Sequence, residues 1–124
     1  MSLINTYEKY VKINEEYIKL IDKLVDTDLS QCEDISVMEA LLKAKVDFEE
    51  LNIEAEKIRV EDKDSENLKD LKYLIMDGVF ITSDLVAFYE HKHFERFKMR
   101  AVNYINKKRR AEIFKDVNCG DCRV

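Results

Sequence analysis

The chain of 124 residues has no proline, no tryptophan and two glycines, Gly78 and Gly120. Hairpins, sandwiches and tight-turned β folds draw on glycine and proline at their turns, so this scarcity argues against them. Long apolar runs are also missing. The longest, Leu85 to Tyr89, is five residues, whereas a membrane helix needs about 20. No basic stretch followed by an apolar one opens the chain, so no export signal is expected. Three cysteines at no framework spacing read as reduced thiols in a cytoplasm.

What is present is a mixture of 46% hydrophobic and 38% charged residues. That balance suits amphipathic helices with one dry face and one wet one. The net charge of −5 is unevenly placed: residues 1–90 hold 11 basic against 22 acidic groups, and residues 91–124 hold 10 against 4. Opposite ends of such a chain can attract each other within the fold or across a dimer. The basic end can also meet an anionic partner.

Hydrophobic spacing predicts an all-α fold, an antiparallel bundle of three to four long helices near 3–26, 36–60, 66–82 and 84–117. In the first, Leu3, Tyr10, Tyr17 and Leu24 recur every seven residues beside Ile4, Val11, Ile18 and Val25. Tyr7, Asn14 and Ile21 form a third column. A buried asparagine there would cost stability but fix register or oligomeric state. The tyrosines read as core with hydroxyls at its rim. Ser36 and Glu39 form a capping box for the second helix. Val37, Leu41, Ala44, Phe48, Leu51, Ala55 and Ile58 alternate spacings of four and three, the clearest periodicity in the chain.

The third helix is apolar almost all round from Tyr73 to Ile81, which marks a helix central in its bundle or covered by a partner. Asp77-Gly78 falls in that run. Asp-Gly can signal a hairpin, but the flanks are continuous rather than alternating, so helix is expected. Gly78 would then cost about 1 kcal/mol against alanine, which a close helix contact could offset. Gly78, Thr82 and Ser83 either break 66–117 into two helices or bend one. Residues 1–117 are expected to be one domain and 118–124 a flexible tail.

The chemistry-bearing patterns are weak. Cys119 and Cys122 have the spacing of a redox or soft-metal pair, but they lie beyond the last helix. Glu90 and His93 have the E-x-x-H spacing of di-iron bundles, without the second motif and further glutamates such a site needs. Asp26, Asp28, Ser30 and Asp34 imitate a calcium loop, yet Gln31 and Val37 occupy positions that need glycine and glutamate. The acidic groups Asp47, Glu50, Glu54, Glu66 and Asp70 do not match a magnesium pyrophosphohydrolase and read as a wet outer face. Arg100, Lys107, Lys108, Arg109 and Arg110 are candidates for phosphate contacts, without a recognition motif.

The expected role is therefore a non-catalytic bundle that binds another protein or itself, with a homodimer in view and Leu74, Ile75, Val79, Phe80 and Phe88 as interaction residues. The alternatives are a nucleic-acid-binding regulator using the basic helix and a metal- or redox-linked switch at Cys119 and Cys122. No enzyme, cofactor or membrane association is expected.

Overall fold

The computed structural model describes residues 2–27, 29 and 34–121, residue 34 and the last twelve by backbone alone. Four α-helices run through them: α1 Leu3–Val25, α2 Asp34–Glu56, α3 Ser65–Glu90 and α4 Phe94–Asp121, with a short 3-10 turn at Asp62–Asp64 before α3. The all-α bundle read from the sequence is the observed architecture. Each helix packs on the next, and α4 returns to α1, so the core lies between four helices.

The pairing of α1 with α2 is antiparallel. Thr6 near the start of α1 donates its hydroxyl to Glu54 near the end of α2, and the ring of Tyr17 meets Phe48 edge-on at 5.9 Å. Lys72 facing Glu56 at 3.6 Å and Phe48 lying against Gly78 set α2 antiparallel to α3. Arg100 facing Asp84 and Lys107 facing Asp77 do the same for α3 and α4.

The helix boundaries have local causes. Ser2 caps α1 by accepting the amide of Asn5 at 3.1 Å, satisfying one of the orphan donors of a first turn. α2 begins at Asp34, so Ser36 stands inside the first turn rather than at its cap. It stops at Glu56, earlier than periodicity suggests. Arg59 donates to the carbonyls of Glu56 and Ile58, a cation closing the negative end of a helix. Ile58 remains buried although it lies past the helix end.

The largest departure from the expected boundaries concerns the second half. The break does not fall between 82 and 84, because α3 passes unbroken through Gly78, Thr82 and Ser83 and ends at Glu90. The hydroxyl of Thr82 is buried and donates back to the carbonyls of Gly78 and Val79, at 2.9 and 3.0 Å. A threonine bonded to the preceding turn leaves no polar group unpaired, so the helix continues. The chain reverses at His91–His93 instead. There the amide of His93 bonds to the carbonyl of Phe88 at 2.8 Å, and that of Lys92 to Tyr89 at 3.1 Å. This is a Schellman closure with Lys92 in the left-handed position, at φ 60°, where glycine is usual.

Gly78 accounts for the closeness of α2 and α3. A Cβ built on it would lie 2.3 Å from Cε1 of Phe48. Phe48 is fully buried and so seats its ring directly on the α3 backbone. The entropic cost of glycine in a helix is exchanged for aromatic packing at the centre of the core.

A candidate interaction face on helices α2 and α3

Two features stand out from the bundle, one inside and one outside. The inner one is a strip of polar and aromatic groups along α1, α3 and α4. Tyr10, Tyr17 and Tyr104 are all buried. Tyr17 and Tyr104 meet edge-on at 6.3 Å, and the hydroxyl of Tyr104 donates to Asn14. Asn14 thus holds a specific partner on α4, as a register-fixing polar residue would. Lys108 lies only 8% exposed beside these rings. Its ammonium is 3.4 Å from Asp77 and 5.1 Å from the centroid of Tyr104. Burial pulls the Lys108 pKa below its ordinary value, opposed by Asp77. Burial raises Tyr10, Tyr17 and Tyr104 well above the usual phenol range. The Tyr17 hydroxyl is the one buried side-chain polar atom without a hydrogen-bond partner among the described residues.

Apart from the Tyr17 hydroxyl, the polar groups named in this strip have partners within it. Part of the basic end of the chain is paired with carboxylates here. Arg100 meets Asp84 at 3.1 Å, Lys107 meets Asp77 at 3.2 Å, and Arg109 meets Asp22 at 3.4 Å. Four of the five cations named from the sequence therefore face carboxylates of α1 or α3. The side chains of the fifth, Arg110, and of Cys119 lie outside the described residues, as does Cys122, while the backbone of Cys119 falls within α4 rather than beyond the last helix. His91 and His93 are exposed at the α3–α4 turn with ring centroids 6.0 Å apart. No cluster of three metal-ligating side chains occurs among the described residues, and no described helix is long and apolar enough to cross a membrane.

The outer feature is a set of exposed apolar side chains, one row on α2 and another on α3. On α3, Tyr73 is 72% and Phe80 58% exposed, and on α2, Leu42, Val46 and Ile53 are 43%, 48% and 58% exposed. Pairing of Glu56 with Lys72 and of Phe48 with Gly78 sets the register between the two helices. It places Ile53 level with Tyr73 and Val46 level with Phe80. Tyr73, Met76, Asp77 and Phe80 also line one small surface hollow of about 110 Å³. The spacing 73, 76, 80 keeps the three apolar residues on one side of α3. Comparison with family models, curated proteins and solved structures finds no match for this chain.

The interaction residues read from the sequence divide. Phe80 points outward. Leu74, Val79 and Phe88 are half-buried against the core, and Ile75 is wholly inside it. Ile75 is thus a packing residue, because the all-round apolar stretch serves α2 on one side and α4 with α1 on another. Sequence reading missed Leu42, Val46, Ile53 and Tyr73. The signal was there: Leu42, Val46 and Ile53 recur at spacings of four and seven, a second stripe opposite the stripe through Phe48.

Proposed function

We propose that this chain is a non-catalytic helical-bundle protein that acts by presenting the outer face of α2 and α3 to another protein chain. The observation that carries this reading is the presence of five large apolar side chains on the outer sides of two neighbouring helices, each more than two-fifths exposed. Contiguous apolar surface rimmed by charge marks interaction sites more often than random scatter does. Aromatic residues are also the side chains that anchor interfaces. The charged ends of Lys45, Glu49, Lys72 and Glu56 supply a polar rim. The basic helix lends less support to a nucleic-acid role, since Arg100, Lys107, Lys108 and Arg109 are already paired within the chain.

In-cell photo-crosslinking tests this. A crosslinking amino acid at Phe80 should give discrete protein adducts, and one at Glu15, on the outer side of α1, should not. Absence of adducts at Phe80, or equal yields at both positions, would remove the proposal.

A further inference from the structure

Helix α4 is attached to the bundle by different means from α2. We infer that α4 is an electrostatically latched strap, which opens from the bundle as a unit ahead of the other helices, and that the charge pairs tying it to α3 govern how readily it opens. The strap lies on a different part of the molecule from the outer sides of α2 and α3, and its opening is independent of the interaction role above.

α4 brings little purely apolar surface to the core. Its buried residues among those described are Phe97, Ala101, Tyr104, Ile105 and Lys108. Of these, Phe97 and Ile105 are large and wholly apolar. Ala101 contributes a methyl, and Tyr104 and Lys108 carry polar ends into the seam. By contrast, α2 inserts Leu41, Phe48, Leu51 and Ala55, and Phe48 seats its ring on the α3 backbone at Gly78. Apolar area removed from water is the main force holding one helix to the next, and α4 supplies less of it than α2.

Polar groups take its place along the α4 seam. Tyr104 donates to Asn14 of α1. Arg100 meets Asp84 at 3.1 Å, and Lys107 and Lys108 both meet Asp77, at 3.2 and 3.4 Å. The other seams lean less on charge: among the described residues, Lys9 with Glu54 joins α1 to α2, and Lys72 with Glu56 joins α2 to α3.

The pairs on α4 are of two kinds. Arg100, Asp84 and Lys107 are partly open to solvent, so dissolved salt screens them. Lys108 is buried, and keeping an ammonium there costs desolvation that an apolar side chain would not. A helix held in this way opens at lower free energy than one held by apolar packing. Opening bares the rings of Tyr17 and Tyr10, against which Tyr104 and Lys108 lie in the closed bundle.

Hydrogen exchange followed by mass spectrometry on the full-length protein tests the latch. After correction for intrinsic rates, peptides covering 94–108 are expected to exchange at least about tenfold faster than those covering 44–55 and 71–82. Raising NaCl from about 20 to about 500 mM should speed the α4 peptides by about threefold, and Arg100→Gln should do the same at low salt. Lys108→Met, which exchanges the buried charge for an apolar chain, should slow them by about fivefold. The salt series uses the unaltered chain, so the result stays readable if a variant fails to fold. Equal protection in α4, α2 and α3 would show a single cooperative unit and overturn the inference. So would faster exchange of α4 that ignores both salt and Arg100→Gln, since the strap would then open without a charge latch.

Discussion

Replacing Gly78 with alanine tests the central packing claim. Alanine is the better helix former by about 1 kcal/mol, so on α3 alone the substitution should stabilise. The structure reverses that sign. The new methyl would lie 2.3 and 2.4 Å from two ring carbons of Phe48, well inside contact distance. Phe48 is fully buried, with Tyr10 and Tyr17 against its ring, so it cannot swing into solvent. Either the ring leaves its rotamer or α2 and α3 separate. Overpacking of this kind costs about 1–3 kcal/mol, and two helices held apart along their axes fall toward the upper end. After the propensity gain, a net loss of about 1–2 kcal/mol remains, which for a domain of this size lowers Tm by roughly 3–8 °C. The companion variant is Phe48→Leu, which costs stability by itself but opens the space. On that background Gly78→Ala should be neutral or stabilising, giving a coupling of about 2 kcal/mol in the double-mutant cycle. Thermal melts followed by circular dichroism read all four proteins. If Gly78→Ala alone raises Tm, or the two substitutions prove additive, the close contact is wrong.

Three further predictions follow from particular side chains. Lys92 holds a left-handed backbone conformation that glycine adopts without strain. Lys92→Gly should therefore stabilise by about 1 kcal/mol, and a lowered denaturation midpoint in urea would contradict the Schellman reading of the turn. The buried hydroxyl of Tyr17 has no hydrogen-bond partner among the described residues, so Tyr17→Phe should be neutral or stabilising by about 1 kcal/mol, whereas a clear loss would mean the hydroxyl is satisfied. Tyr10, Tyr17 and Tyr104 have folded pKa values raised above the ordinary 10.0, chiefly by burial. The unfolded chain loses these protons first, so the stability they confer is whole below pH 10 and declines as pH rises beyond it. Phenolate absorbance from these three should appear together with loss of helical dichroism, and its appearance in a still-folded protein would place them nearer the surface.

Much of this was legible in the residues themselves. The absence of proline, the near absence of glycine and the three-and-four spacing of Leu41, Phe48, Leu51 and Ala55 determine helices and their inner faces, because helical periodicity is a local property of the chain. Gly78 could be flagged as a costly residue awaiting a close contact, and Phe48 supplies it. Asn14 could be flagged as a polar residue in an apolar column, and Tyr104 is its partner. The charge imbalance between the two ends foreshadowed their pairing, though not which carboxylate meets which cation.

Other features were settled only when the helices packed. Lys92 carries no sign of a left-handed turn, since lysine is an ordinary helix former. The reversal at His91–His93 comes from where α4 must fold back onto α3. Thr82 looks like a breaker until its hydroxyl is seen bonded within its own helix. The apolar stretch from Leu71 to Phe88 carries more apolar surface than one helix face needs. Sequence alone does not say which half is core. Packing against α2, α4 and α1 buries Ile75 and Ile81 and leaves Tyr73 and Phe80 in solvent, because a helix in a four-helix ring covers only the sides its neighbours touch. Helix identity is set by local spacing. The inner and outer sides of α3, and with them the candidate face, are set by which neighbours it has.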